Sequence, residues 1–238
     1  MSEPIEFPSE GVDLRGRFYG QPQARPSPCI VMAHGTTATI SMVTEDYAAA
    51  FQRAGISVLL FDHINFGGSD GAVRQEINPW LQGRGYRDAV AYVRERADVD
   101  SSKVALWGDS YSAMEVLVVG ALIDDLAGIV AQIPVCGMEL PNMEPTRETF
   151  NILRKIFENG DVSSTPESTE GPLPVVSFDQ IGSPSLLKPI QAFKWFMEYG
   201  GRFDSGWHNR VTRVIPPTEV PFSPCLTAPF IRAPTFMM

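Results

Sequence analysis

Residues 103–113 read Lys103-Val-Ala-Leu-Trp-Gly-Asp-Ser-Tyr-Ser-Ala113, and they say more about the fold than any other segment of this 238-residue chain. The apolar run 104–107 predicts a buried parallel strand. Small residues at Gly108 and Ser112 allow a following helix to pack closely, so that the Ser110 hydroxyl projects from the turn. The pattern differs by one residue from the G-x-S-x-G of a nucleophile elbow. It is also typical of a serine that caps a helix, so both interpretations stand at this point.

A second strand and turn lie upstream. Pro28-Cys-Ile-Val-Met-Ala33 is another apolar run, and His34-Gly35-Thr36-Thr37 follows it. A glycine-containing turn at the carboxyl end of a strand can direct a backbone N–H towards a developing oxyanion. We therefore expect the N–H groups of Thr36 and Tyr111, the residue after the serine, to form an oxyanion hole.

Taken together, the motifs resemble the α/β-hydrolase superfamily. The matching segments are His34-Gly35-Thr36, Asp62-His-Ile-Asn-Phe-Gly-Gly-Ser-Asp-Gly71 and Gly108-Asp-Ser-Tyr-Ser112. The middle one is similar to the family's Asp-x-Arg-Gly-x-Gly-x-Ser turn, from which His63 and Asn65 depart. Arg74-Gln-Glu-Ile77 and the next helix are similar to serine esterases of the dienelactone-hydrolase and X-Pro-peptidase-like branch. The resemblance implies an α/β fold, in which helices flank both faces of a mostly parallel sheet, with a helical cap insertion.

Strands and helices alternate along the first part of the chain, as expected for such a sheet. The expected strands lie near Ile5 and at 12–19, 29–33, 56–61, 104–107 and 129–135, and the expected helices at 44–54, 79–96, 146–157 and 189–199. We assign residues 1–136 to the N-terminal part of the core and 137–210 to the cap. Residues 211–238 are assigned to a return to the core that is incomplete at the C-terminus.

The composition and net charge of the chain argue against several kinds of partner and location. A net charge of -9 argues against a nucleic-acid partner. No apolar segment is long enough to cross a bilayer, and the acidic N-terminus does not resemble a signal peptide. The widely spaced Cys29, Cys136 and Cys225 indicate a reducing compartment. We expect a cytoplasmic protein with no membrane partner and no cofactor. We also expect no metal, because Asp62 is better explained as an acceptor that fixes a turn.

Aromatic residues of the predicted cap are candidates for an apolar acyl pocket. We select Trp195 and Trp207 as candidate substrate-binding residues, together with His34 in the upstream turn. Phe196, Met197 and Phe203 belong to the same group. The alternative is that these side chains form the packed interior of the cap.

The catalytic base and acid are not found at the family's positions. In the family order a histidine follows the last strand, but His34 and His63 precede Ser110, and His208 comes before the last strand-like segment. Glu139 is an alternative acid position in some relatives, yet it fits a solvated residue at the cap entrance better. We therefore expect a hydrolase truncated at its C-terminus, weakly active, with an exposed apolar edge that favours homo-oligomers.

The expected reaction is hydrolysis of a small-molecule ester, thioester or amide through an acyl-enzyme on Ser110. Transfer of the acyl group to an alcohol is an open alternative, because the same intermediate serves both reactions. A second alternative is a catalytically silent binding or regulatory module on a hydrolase fold.

Overall fold

A seven-stranded sheet forms the centre of the protein in a computed structural model, which describes residues 2–22, 25–136, 140–160 and 168–238. The strand order is β1-β2-β4-β3-β6-β7-β10. β1 pairs antiparallel with β2, and β2 with β4, whereas all other neighbours are parallel. The strands, numbered along the chain, are β1 (Glu3–Ser9), β2 (Val12–Tyr19), β3 (Ser27–Ala33), β4 (Ser57–Phe61), β6 (Val99–Asp109), β7 (Gly128–Gln132) and β10 (Thr235–Met237).

The central strands are apolar on both sides, as parallel strands between two helical layers require. Every residue of β4 is buried. In the pairing register, Ala33 at the end of β3 lies opposite both Phe61 of β4 and Gly108 of β6. The turns that follow these three strands therefore emerge side by side at one edge of the sheet.

Helices cover both faces of the sheet, and the predicted fold is confirmed. On one face, α1 packs against Ile30, Val58 and Leu60. On the other, α2 and α3 pack against Val31 and Leu59. Adjacent residues of one strand point to opposite faces, which explains the alternation. The helices are α1 (Thr44–Arg53), α2 (Pro79–Arg94), α3 (Tyr111–Leu122), α4 (Arg147–Asn159), α5 (Ile190–Tyr199) and α6 (Pro224–Thr227), followed by a 3₁₀ turn at Ala228–Phe230.

The residues predicted as a helical cap, 137–210, pack in two different places. Residues 211–215, which the sequence assigns to the return to the core, instead form a strand of a second, three-stranded sheet. Phe150, Leu153 and Phe157 of α4 join the hydrophobic core beneath α2 and α3. Above the carboxyl edge of the main sheet, α5 packs with a small sheet of order β5-β9-β8, formed by β5 (Glu76–Ile77), β8 (Ser168–Leu173) and β9 (Val211–Ile215). Phe196 of α5 and Val211 of β9 share one apolar cluster. The spacing of apolar residues in the sequence did not distinguish α4, which packs in the main core, from α5, which packs above the sheet.

The last strand, β10, pairs parallel with β7. Phe236, Met237 and Met238 are each more than half exposed. None of the helices in the described ranges combines the length and apolarity that a membrane crossing requires.

Candidate active site

Ser110 occupies the sharp turn between β6 and α3. Its φ is 55° and its ψ is -108°, a conformation that non-glycine residues rarely adopt. The Ser110 N–H donates to the Gln132 carbonyl oxygen at 2.9 Å, and the Ser110 carbonyl oxygen accepts from Met114 and Val135 at 3.2 Å. A side chain at Gly108 would collide with the backbone of Ser112. The turn is thus held on both sides.

The helix-capping interpretation of Ser110 does not fit this geometry. Ser110 stands at the N-cap position of α3, but its side chain makes no capping hydrogen bond. The residue is half-buried. Its Oγ has no hydrogen-bond partner in the part of the chain that the structure describes.

Ser110 borders two cavities, and Thr36 borders both as well. The larger has a volume of 510 Å³ and is further lined by Tyr111, Met114, Cys136, Arg213, Phe222 and Cys225, among others. The smaller has a volume of 320 Å³ and an aromatic wall of Trp107, Trp195 and Phe196. The candidate nucleophile therefore has space on two sides.

The His34-Gly35-Thr36 turn lies directly against the serine. A Cβ on Gly35 would stand 2.5 Å from the Asp109 carbonyl oxygen and 3.0 Å from the Ser110 Cβ. Thr36 has a positive φ of 37°. The turn is closed by a 3.0 Å hydrogen bond from the Ala38 N–H to the Gly35 carbonyl oxygen. Within the described residues, the N–H groups of Thr36 and Tyr111 donate to no acceptor, so both are available to a ligand.

His34, at the start of this turn, borders the smaller cavity. Its side chain is fully buried, and its Nε2 accepts from the His63 N–H at 3.3 Å. Burial lowers the pKa of His34 to about 3, so the ring is neutral. Asp62 fixes the neighbouring turn as predicted, because its two carboxylate oxygens accept from the Ile40 and Gly68 N–H groups at 2.9 Å.

A second buried polar group lies behind the elbow. The Ser112 Oγ is 2.8 Å from His63 Nε2 and 3.0 Å from Glu115 Oε2, and it also bonds the His34 carbonyl oxygen. Burial lowers the pKa of His63 to about 3 and raises that of Glu115 well above its usual range. Sequence reasoning missed Glu115, although a single acid in the apolar run 114–119 was a usable signal.

The cap residues predicted to line a pocket separate into three groups. Trp195 and Phe196 line the smaller cavity. Trp207 lines neither cavity; it packs on Phe196 with ring centroids 5.2 Å apart, and its Nε1 donates to Thr37 Oγ1 at 3.5 Å. Met197 and Phe203 are exposed.

Among the residues that the structure describes, no side chain that could act as a base is hydrogen-bonded to Ser110. All three histidines are described, and none is hydrogen-bonded to the serine; His208 is exposed and borders neither cavity. Glu139 lies outside the described residues. Asp109 borders the smaller cavity, and burial raises the pKa of its carboxyl to about 6.

Two of the three cysteines line the larger cavity. Cys136 is exposed and Cys225 half-buried, whereas Cys29 lies in the sheet, where burial raises its thiol pKa to about 12. Burial also raises the pKa of Cys136. Cys136 and Cys225 thus border the same cavity as Ser110 but are not part of the elbow.

The sheet order, the helices on both faces and the elbow define a protein of α/β-hydrolase fold. Among solved structures, the chain is similar to the α/β hydrolase GrgF from Penicillium sp. sh18, with a TM-score of 0.66 and 24% identity over 89% of this chain and 70% of that one. No protein-family model matches the chain.

Curated relatives share part of this sequence. The thiohydrolase apmlB of Arthrinium phaeospermum is 36% identical over 135 residues, which are 56% of this chain and 43% of that protein. The polyketide transferase af380 of Aspergillus fumigatus is 32% identical over 143 residues, 60% of this chain and 48% of that protein. The chain thus spans about half the length of the curated relatives it matches.

Proposed function

We propose that the protein cleaves an ester, thioester or amide through an acyl-enzyme on Ser110. The observation that carries the proposal is the positive-φ turn at Ser110, which leaves the hydroxyl without a capping bond beside two cavities. A strained turn that the fold holds in place is typical of functional sites. Relatives named as thiohydrolases favour a thioester among the three substrates.

In the proposed mechanism, Ser110 Oγ attacks the carbonyl carbon and the carbonyl oxygen becomes an oxyanion. The N–H groups of Thr36 and Tyr111 donate to that oxyanion, which stabilises the tetrahedral intermediate. Collapse of the intermediate expels the leaving group, which takes up the proton that Ser110 Oγ released to solvent, and leaves the acyl group on Ser110. Water then attacks the acyl carbonyl, the carboxylic acid leaves, and Ser110 regains its hydroxyl proton. Because no described side chain is hydrogen-bonded to Ser110 Oγ, we expect slow turnover by the 238-residue chain.

The two cavities suggest how the substrate is divided. The aromatic wall of the smaller cavity suits the acyl chain, and we propose that the part of the 137–210 segment containing α5 acts as the cap that closes it. The larger cavity then receives the leaving group or an incoming acceptor.

Acyl transfer is a second candidate reaction, and the larger cavity favours it. A transferase must hold an acceptor beside the acyl-enzyme, and 510 Å³ is enough for a small molecule. Relatives named as polyketide transferases and an acyltransferase agree with this alternative. Product analysis with an acyl thioester and added alcohol would distinguish an ester product from the free acid.

Chemical labelling tests the proposal directly. A fluorophosphonate should modify the protein at Ser110, and Ser110→Ala should abolish the labelling. Ser223→Ala is the matched control, since Ser223 is another half-buried serine on the larger cavity but lies outside any elbow. Equal labelling of wild type and Ser110→Ala would refute the assignment. An unlabelled protein that still binds a thioester analogue would instead support the binding-module alternative.

A further inference from the structure

A buried contact joins the elbow to the turn that follows β4. Ser112 stands where the elbow motif has its final glycine, and His63 lies in the Asp62–Gly71 turn. His63 Nε2 and Ser112 Oγ are 2.8 Å apart. Both side chains are buried, Ser112 completely. The hydroxyl that replaces a glycine hydrogen therefore has a specific partner.

Hydrogen counting provides an assignment of the bonds that Ser112 makes to His34, His63 and Glu115. A hydroxyl has one proton to donate and two lone pairs that accept. The His34 carbonyl oxygen can only accept, and we assign the Ser112 proton to it. In this assignment His63 Nε2 and Glu115 Oε2, which are 2.8 Å and 3.0 Å from Ser112 Oγ and 3.3 Å from each other, both donate to Ser112 Oγ. The assignment places a proton on His63 Nε2 and on the Glu115 carboxyl.

The atoms left without partners agree with this assignment. His63 Nδ1 and Glu115 Oε1 are buried and have no hydrogen-bond partner among the described residues. In the assigned state each is a neutral acceptor. An orphaned N–H donor or a charged carboxylate oxygen at either place would be far more costly. Burial also lowers the pKa of His63 and raises that of Glu115, which keeps both groups neutral.

We propose that Ser112 is a positioning residue that holds the His34 carbonyl and thereby aims the Thr36 N–H at the oxyanion. Glu115 and His63 are the neutral donors that orient the Ser112 hydroxyl. Thr36 is two residues from the bonded carbonyl, with the small Gly35 between them. A glycine at position 112 would leave the turn without this bond. The inference rests on the proposed function for the role of the Thr36 N–H as an oxyanion donor. The hydrogen bonds of Ser112 can be tested separately.

The test compares Ser112→Ala, Glu115→Gln and Glu115→Leu with the wild type. Loss of the bond should slow fluorophosphonate labelling of Ser110 by about 10- to 100-fold in Ser112→Ala, somewhat less than the loss of an oxyanion donor. Glu115→Gln keeps a neutral donor and should label within about twofold of wild type, whereas Glu115→Leu should resemble Ser112→Ala. Ser57→Ala, which removes a buried hydroxyl bonded to Ser27 at 2.7 Å, is the control and should label normally.

Two further measurements keep the outcomes distinct. Amide exchange of Ala38, whose N–H bonds the Gly35 carbonyl oxygen at 3.0 Å, should accelerate in Ser112→Ala but not in Ser57→Ala, whether or not Ser110 is reactive. An infrared band of a protonated carboxyl should be present at neutral pH and absent in Glu115→Gln. If wild type is not labelled but exchange accelerates, the proposed function fails and the tether stands.

Normal labelling with unchanged exchange in Ser112→Ala would overturn the inference. Equal slowing in Glu115→Gln and Glu115→Leu would overturn the assignment of Glu115 as a neutral donor. If Ser112→Ala does not fold, the two Glu115 variants and the infrared band carry the same test.

Discussion

Two helices of similar length, α3 and α5, border the candidate site and differ in how they are packed. All residues of α3 from Ser112 to Leu122 are buried, whereas Phe196 is the buried residue of α5. The elbow therefore rests on a helix enclosed by the core, and the aromatic cavity wall on a helix largely exposed to solvent. Regions with few buried contacts open locally at low free-energy cost. We infer that the candidate nucleophile is fixed and that the proposed substrate wall is adaptable.

The largest effect on the free energy of unfolding is expected when side chains of α3 and α5 are shortened to alanine. Leu117→Ala in α3 removes a buried side chain and should cost about 3 kcal/mol of unfolding free energy. Met197→Ala in α5 removes a side chain that is 48% exposed and should cost less than ~0.5 kcal/mol. Urea denaturation measures both values. Similar losses in the two variants would break the comparison.

A titration of stability probes the enclosed side at Asp109. Burial raises the carboxyl pKa from 3.8 to about 6, so the folded state binds more protons between these values than the unfolded state. The stability that the protonated Asp109 carboxyl contributes should therefore be fully present below pH 4. It should be lost, by about 2–3 kcal/mol, as the pH rises through 6.

Asp109→Asn should remove that dependence, because the amide does not ionise. The exposed Asp204→Asn is the control and should leave the wild-type pH profile intact. Denaturation midpoints at pH 4, 5, 6 and 7 provide the measurement. A wild-type profile that is flat over this range would contradict a desolvated carboxyl at Asp109.

The smallest expected effect concerns backbone strain at the elbow. Ser110→Gly should abolish labelling yet stabilise the protein by about 1 kcal/mol, since glycine adopts a positive φ without steric cost. Asp125→Gly is the matched control, because Asp125 also has a positive φ, of 60°, away from the site. Calorimetric melting would show the shift. A lower melting temperature for Ser110→Gly alone would mean that Ser110 makes stabilising contacts that outweigh the strain.

The sequence predicted the main sheet well for a physical reason. Several of its central strands are short, continuous apolar runs, as at Val104–Trp107, and such runs are typical of parallel strands covered on both faces. The parallel register then follows, because the elbow and the His34 turn must emerge at the same edge. These are local signals.

The remaining features depend on partners distant in sequence. β9 pairs with β8 and β5, and α4 packs in the main core, although their own periodicity favours no particular neighbour. For the same reason the sequence did not distinguish Trp195, which lines a cavity, from Trp207, which packs beside Phe196. The bond between His63 and Ser112 joins residues 49 positions apart, and neither residue identifies the other in the sequence.

The cysteines beside Ser110 have a practical consequence for inhibitor studies. Iodoacetamide or a maleimide will alkylate Cys136 before the enclosed Cys29, because Cys136 is exposed. The adduct will fill part of the larger cavity and would obstruct the leaving group or acceptor that we propose binds there. Inactivation by such reagents would imitate a cysteine hydrolase, so the identity of the nucleophile must be read from the modified peptide and not from the loss of turnover.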